Sequence, residues 1–176
     1  VLDNKKIEEF YIERADTVNL VGNIYKGKVE SVLPGIEAAF VNIGLEKNGF
    51  LYVTDVEKDA SDFDRLFGEE GTERQEKMES QKKQSIAAML KKGDEVLVQV
   101  VKEPISTKGA RLTAHISIPG RFLVLMPFDN RIGLSKRIED KSERDRIRKI
   151  IEELKLPKDI GFIVRTAAIG AGQKDF

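Results

Sequence analysis

The feature that most constrains the fold is a series of five short apolar runs between residues 19 and 118. They lie in the stretches NLVGNIYKGKVESVL, IEAAFVNIG, NGFLYV, GDEVLVQVVKE and GARLTAHISI. Turn signals separate them, among them Pro34-Gly35 and Asn48-Gly49, and an Asn-Gly pair is typical of a β-hairpin. Apolar and polar residues alternate loosely within the runs, which is the pattern of half-buried strands. The sequence therefore predicts five short β-strands.

A long charged stretch at residues 57–92 interrupts this strand pattern before the fourth run. Within it, Thr72 and Gln75 have the spacing of a helix capping box, which predicts a helix that runs to Lys92 and ends at Gly93. Apolar residues are scarce in its first half, so we expect an inserted, partly helical and solvated segment. Five short strands with a helix-bearing connection before the fourth predict a barrel of the OB type.

The last third of the chain has a different pattern. An apolar strand in RFLVLMP, a helix from Glu143 to Lys155 and a strand in GFIVRTAAIG predict a small α/β unit beside the barrel. Ser142 and Asp145 have the spacing of a helix cap, and Pro157 ends the helix. One apolar stripe at helical spacing marks the buried face of this helix, formed by Ile147, Ile150, Ile151 and Leu154.

Composition narrows the chemistry that the chain can carry. It has 30 basic and 30 acidic side chains and no cysteine. A net charge of zero excludes a strongly basic tail that binds nucleic acid, but not a basic face balanced by acids elsewhere. The absence of cysteine excludes disulfides and thiolate metal sites and makes the cytoplasm the expected location. The single histidine, His115, has no catalytic or metal-site partner in the pattern, so we expect a structural residue at a strand end.

Three stretches, taken in order, resemble the ribonuclease E/G endoribonuclease family. NIYKGKVESVLPGIEAAFVNIGLEKNGFLYVTDV is similar to the RNA-binding OB domain of the ribosomal-protein-S-one type that this family contains. ISIPGRFLVLMP and GFIVRTAAIG resemble the two halves of the family's 5′-sensor pocket. The ordered trio is far more specific than the first stretch alone, and the resemblance covers nearly the whole chain.

The resemblance implies a fold that is mostly β with an α/β addition. Residues 1–20 correspond to the first segment of an RNase-H-like subdomain, residues 21–115 to an OB-fold domain inserted into it, and residues 116–176 to a truncated 5′-sensor domain. In the family, the magnesium-binding catalytic aspartates and zinc-linking cysteines lie in later domains. We therefore expect both chain ends to be boundaries within a longer protein. Magnesium and structural zinc are implied for that protein, and no cofactor and no activity for this chain alone.

The function implied is that of an RNA-binding, 5′-monophosphate-sensing N-terminal fragment of a single-strand-specific endoribonuclease of rRNA maturation and mRNA turnover. The partner implied is single-stranded RNA with a 5′ monophosphate. A homo-oligomer is expected for the whole enzyme and not necessarily for the fragment. The alternative is a stand-alone OB-fold RNA-binding module of translation or RNA chaperoning, and a single-stranded DNA binder is a third. The stand-alone module does not account for RFLVLMP and IVRTAAIG at this distance from the barrel.

Phe40 and Phe50 match the stacking aromatics of the family's OB domain. A base stacked on a ring contributes about 1–3 kcal/mol and requires no particular sequence. The alternative is that one or both rings belong to the core, where phenylalanine is usually found. Lys108 matches a lysine beside those rings, where its ammonium meets a phosphate, and the alternative is a solvated loop lysine. Further candidates for the RNA-binding surface are Tyr25, Lys26, Lys28 and Arg111.

Four residues match the family's pocket for a 5′-terminal phosphate, namely Gly120, Val124, Arg165 and Thr166. A guanidinium meets two phosphate oxygens at once, and a hydroxyl adds a further donor. Arg165 follows three apolar residues in FIVRTAA, and an unpaired buried charge is costly. Either the strand ends there, therefore, or the charge has a partner. The partner that would give a plain salt bridge is a carboxylate such as Asp159 or Glu153.

Overall fold

The computed structural model of the protein describes residues 2–3, 6–7, 19–57, 84–154, 156–157 and 160–176. Within the predicted RNase-H-like segment, a short antiparallel pair is described, β1 (Leu2–Asp3) with β2 (Lys6–Ile7). Among the described residues, no helix is long and apolar enough to cross a membrane.

A closed barrel of five strands forms the first part of the structure. The strands are β3 (Ile24–Leu33), β4 (Ala38–Asn42), β5 (Gly49–Tyr52), β6 (Glu95–Lys102) and β7 (Arg111–Thr113), in the order β3-β4-β5-β7-β6 around the barrel. Neighbouring strands are antiparallel except β5 and β7, which are parallel. The predicted barrel of five short strands is confirmed. Its core contains fully buried side chains from every strand, among them Val29, Val41, Leu51, Val98 and Leu112.

One helical turn before β6 helps to close the barrel core. This turn, α1 (Ile86–Met89), places Ile86 among the fully buried side chains. Glu37, which has left-handed backbone angles, accepts a hydrogen bond from the Ile86 amide at 2.7 Å and holds the turn. The helix predicted from Thr72 lies largely outside the described residues. Its predicted end at Lys92 is wrong, because Leu90 is already extended and buries its side chain in the barrel.

A four-stranded sheet and one long helix form the second part. The strands are β8 (Ile118–Pro119), β9 (Leu123–Met126), β10 (Ile132–Leu134) and β11 (Gly161–Val164), in the order β10-β11-β9-β8. Helix α2 (Lys141–Glu153) connects the parallel pair β10 and β11. The predicted strand, helix and strand are therefore all present. Ile147 and Ile151 of α2 are buried against this sheet, together with Leu134 and Val164.

The start of α2 differs from the prediction. Asp140 is the N-cap, and its carboxylate accepts a hydrogen bond from the Ser142 amide at 2.9 Å. Ser142 itself lies inside the helix, so its predicted role as the cap is wrong. An aspartate carboxylate reaches the unpaired amides of the first turn as well as a serine hydroxyl does, and sequence spacing does not distinguish the two.

The fifth apolar run is not one continuous strand. β7 ends at Thr113, and β8 begins at Ile118. Between them, the backbone of Ser117 exchanges two hydrogen bonds of 2.9 Å with the side-chain amide of Gln99 on β6. The Gln99 amide also donates to the Gly22 carbonyl, so this buried polar side chain is satisfied and ties the connection to the barrel.

Candidate nucleic-acid interface

Three aromatic rings meet on the outer face of β4 and β5. Phe40 lies opposite Phe50 across the strand pair, with ring centroids 5.4 Å apart in an edge-to-face arrangement. The ring of Phe50 also contacts Tyr52, at 4.4 Å between centroids. Residues on a strand alternate between its faces, and Val41 and Leu51, the neighbours of these rings, are fully buried. Phe40 and Phe50 are half-buried and lie outside the core cluster of the barrel.

Arg111 extends this row of rings onto β7. It lies opposite Phe50 in the parallel pairing, and its Cζ is 5.2 Å from the centroid of Tyr52. This is the geometry of a cation–π interaction. The guanidinium also donates a hydrogen bond of 3.1 Å from Nη2 to the Asp55 carboxylate. We call Phe40, Phe50, Tyr52 and Arg111 the aromatic patch.

Tyr52 is the member of the aromatic patch that the sequence interpretation missed. The sequence did indicate the position of Tyr52, because a residue two positions after Phe50 on a strand faces the same side of the sheet. Phe40 and Phe50 were predicted from the family resemblance, which did not include Tyr52.

Lys108 lies on an exposed loop that is anchored next to Phe50. The Phe50 amide donates to the Ala110 carbonyl at 2.7 Å, two residues after Lys108. Gly109 passes so close to the Asn48 carbonyl that a β-carbon there would overlap it. Only glycine allows this approach, which brings the lysine-bearing loop to the start of β5.

The other three candidates lie on β3 and are not all on one face. Tyr25 packs against the barrel core, whereas Lys26 and Lys28 are exposed on the opposite side of the strand. Lys26 forms an exposed ion pair of 2.6 Å with Glu95. Lys28 lies opposite Asn42, which shares its face of β4 with Phe40. The structure thus brings together Phe40, Phe50 and Arg111, places Lys28 on the same side, and places Tyr25 away from them.

The four predicted phosphate-binding residues gather at one end of the second sheet, which we call the corner at Arg165. Nη1 of Arg165 donates to the Gly120 carbonyl at 2.6 Å, and the Arg165 amide donates to the Phe122 carbonyl at 2.8 Å. Thr166 begins a 3₁₀ turn directly after β11. Val124 is half-buried on β9, between Pro119 and Ile163 on the neighbouring strands.

An open groove of about 710 Å³ adjoins this corner. Gly120 lines the groove itself, whereas Arg165, Thr166 and Val124 do not. Residues on both sides of the corner complete its walls, among them Phe122, Leu123, Ala167, Gly170 and Ala171.

The surroundings of Arg165 bear on the two explanations of its position in the sequence. β11 ends at Val164, and Arg165 is exposed, so the strand ends before the charge. Among the residues that the structure describes, none forms an ion pair with Arg165, and this includes Glu153. Asp159, the other proposed partner, lies outside the described residues.

One wall of the groove is held by helix α2. The carboxylate of Glu143 accepts two hydrogen bonds from Arg146, at 2.6 and 2.7 Å, and a third from the Gly170 amide at 2.8 Å. Arg146 in turn donates to the Ala171 carbonyl at 2.7 Å. The hydrogen bonds from Arg146, followed by that from Gly170, lower the pKa of Glu143 from its ordinary 4.5 to about 2.

Replacing Glu143 by glutamine is expected to lower the melting temperature at neutral pH and to have little effect in strong acid. The carboxylate has a lower pKa in the folded state, so its contribution is complete above about pH 4.5 and is lost as the pH falls towards 2. Thermal unfolding followed by circular dichroism across this range measures the effect. Asp145→Asn is the control, because it removes an exposed ion pair of the same spacing, with Arg148. A difference between Glu143→Gln and the wild type that stays constant down to about pH 3 would contradict the expectation.

His115 has the structural environment expected of it. Its Nε2 lies 3.3 Å from the Thr54 carbonyl, and its amide donates to the Thr113 hydroxyl at the end of β7. In the described part of the chain, no group of three or more His, Cys, Asp or Glu side chains could hold a metal ion.

A closed five-stranded barrel with aromatic rings and a guanidinium on its outer face is the architecture of OB-type nucleic-acid-binding domains. Comparison with known proteins gives a family for the chain. Residues 117–176 match the model of the Ribonuclease E/G family.

Relatives from several bacteria match almost the entire chain. Over 99% of its length it is 42% identical to Ribonuclease G of Escherichia coli strain K12 and 41% identical to Ribonuclease G of Haemophilus influenzae. Over 97% of its length it is 42% identical to Ribonuclease E of a Nostoc species, of which it covers 22%. The chain spans 33% of the length of each of these Ribonuclease G relatives. Together, the family model and these relatives show that the chain belongs to the Ribonuclease E/G family.

Proposed function

We propose that this chain is the RNA-binding part of an endoribonuclease of RNA processing and decay. The observation that carries the proposal is the aromatic patch, three contacting rings and a guanidinium on the outside of a barrel. A contiguous patch of partly exposed aromatic rings is typical of an interaction site. The names of the relatives, Ribonuclease G and Ribonuclease E, support RNA as the ligand.

The chemistry of the aromatic patch suits unpaired RNA of any sequence. Phe40 and Phe50 offer π-faces on which bases stack, and every base has such a face. In a duplex the bases are already stacked on each other, so the rings discriminate against it. Lys28, Lys108 and Arg111 supply positive charge for phosphates around the rings. Lys26 and Tyr25 remain predictions as further contacts.

We propose that the corner at Arg165 binds a 5′-terminal monophosphate. One N–H group of its guanidinium is bound to the Gly120 carbonyl, which fixes the side chain. A guanidinium has five N–H donors, so further donors remain for phosphate oxygens. The Thr166 side chain lies beside it in sequence and adds a hydroxyl. Gly120 and Val124 complete the proposed site as close-approaching backbone and apolar wall.

The activity of the whole protein is likewise a proposal. We expect magnesium-dependent hydrolysis of single-stranded RNA by a cytoplasmic homo-oligomer, with structural zinc. We propose that the chain alone binds RNA without cutting it, because no carboxylate in it matches the family's catalytic aspartates.

A fluorescence-anisotropy titration tests the proposal. A 3′-labelled single-stranded RNA is compared with the same strand in a duplex, at several salt concentrations. We expect tighter binding of the single strand. If Lys28, Lys108, Arg111 and Arg165 each meet one phosphate, the logarithm of the affinity should fall with that of the salt concentration with a slope of roughly −3. Equal affinity for the duplex, or an affinity independent of salt, would overturn the proposal.

A further inference from the structure

Arg111 is held in place from two sides at the edge of the aromatic patch. Asp55 accepts its hydrogen bond at 3.1 Å, and the ring of Tyr52 lies under its Cζ at 5.2 Å. The Asp55 side chain is only 18% exposed, so the carboxylate is a firmly placed anchor. A residue that only contacts a phosphate needs no such anchoring, because the mobile ammonium of a lysine makes that contact equally well.

The arginine is nevertheless open to solvent. Its side chain is 43% exposed, and Tyr52 is 39% exposed. A planar guanidinium packed over a ring on one side and open on the other is a stacking surface, because nucleobases stack on guanidinium planes as they do on aromatic rings. Arg111 also lies directly opposite Phe50 in the strand pairing, so the row of rings continues onto it.

We infer that Arg111 and Tyr52 form a further base-binding position of the barrel, in which an unpaired nucleobase stacks on the guanidinium and Tyr52 supports it from below. This inference rests on the proposed RNA-binding function and adds one nucleotide to the strand bound by Phe40 and Phe50. Tyr52 is a positioning residue in this arrangement, and Asp55 sets the orientation of the guanidinium. The ligand of the position is one unpaired nucleotide adjoining those on the two phenylalanines.

The test separates stacking from charge by replacing Arg111 with lysine. Lysine keeps the positive charge but has no plane on which a base stacks. Dissociation constants are measured for a series of unlabelled single-stranded RNAs that differ by one nucleotide in length, in competition with a labelled strand. Tyr52→Ala and the conservative Tyr52→Phe are measured beside it. Arg148→Lys, in an ion-paired arginine of helix α2, is the matched control. Thermal unfolding is recorded for every variant to verify that the barrel is intact.

For Arg111→Lys we expect a loss of affinity of roughly 5-fold or more, with an unchanged salt slope, and a plateau in affinity one nucleotide earlier in the length series. Tyr52→Ala should give the same shortened plateau, and Tyr52→Phe and Arg148→Lys should match the wild type. A wild-type affinity and plateau in a folded Arg111→Lys protein would show that Arg111 is only a point charge and would overturn the inference while leaving the proposed function intact. Failure of the wild type to bind RNA at all would overturn both.

Discussion

Replacing Phe40 and Phe50 together by alanine is expected to reduce the affinity for single-stranded RNA by about 2–6 kcal/mol, the loss of two stacked bases. This corresponds to a factor of roughly 30 or more in the dissociation constant. The barrel should remain folded, because both rings lie outside its core cluster. Each half-buried ring contributes about 1 kcal/mol to the free energy of unfolding, well below the 3–5 kcal/mol lost when a fully buried phenylalanine is removed. Anisotropy titration and chemical denaturation measure the two quantities.

Two single variants calibrate this result. Phe128→Ala removes a phenylalanine that is 57% exposed and outside the aromatic patch, and it should change neither RNA affinity nor stability by much. Leu51→Ala removes a fully buried side chain on the inner face of β5 and should cost about 2–5 kcal/mol of stability. If the double phenylalanine variant unfolds like Leu51→Ala, the rings are structural. If it binds RNA like the wild type, the aromatic patch is not the RNA site.

Replacing Arg165 by alanine is expected to weaken the binding of 5′-monophosphorylated RNA by about 1.5–3 kcal/mol and to leave hydroxyl-ended RNA of the same sequence unaffected. The reason is that a terminal monophosphate carries up to two negative charges that a hydroxyl end lacks. Thr166→Val should have the same selectivity and a smaller effect. The measurement is a titration with 3′-labelled RNAs that differ only at the 5′ end, repeated as cleavage rates with the full-length protein.

Arg165→Lys tests whether a positive charge alone accounts for the preference for the monophosphate. It retains the positive charge and loses the flat fork, so it should recover only part of the preference for the monophosphate. Equal weakening of both end types by Arg165→Ala would make Arg165 a general RNA contact. A fall in melting temperature with no change in binding would show that its bond to the Gly120 carbonyl is its whole role.

The barrel was predictable because its signals are local. Alternation in EVLVQVVK and the Asn48-Gly49 turn specify strands and a hairpin without knowledge of the remaining chain. The end of α1 was not predictable in this way. Leu90 leaves the helical path because it fills the barrel core. At the start of the same turn, the Ile86 amide donates to Glu37, 49 residues away in sequence. Tertiary packing overrides helix propensity at such positions.

The candidate site residues also include some that were predicted from the sequence and some that were not. Phe40, Phe50 and Arg165 were identified by their resemblance to a family motif, and the exposed end of β11 at Arg165 follows from the cost of burying a charge. The support of the groove by Glu143 and Arg146 was not identified. Their spacing of three predicts a pair on the surface of a helix, but nothing in it indicates the contacts with Gly170 and Ala171, 27 and 25 residues away.

The side-chain amide of Gln99 fixes the point at which the chain leaves the barrel. Because it binds Ser117 through both its donor and its acceptor, the chain leaves the barrel along a single path. An apolar residue in place of Gln99 would also be buried, but it would form no hydrogen bonds with Ser117 and would not fix the point at which the chain leaves the barrel. With this point fixed, a single RNA strand that binds both proposed surfaces at once would need a minimum length, and a shorter strand would bind only one of them.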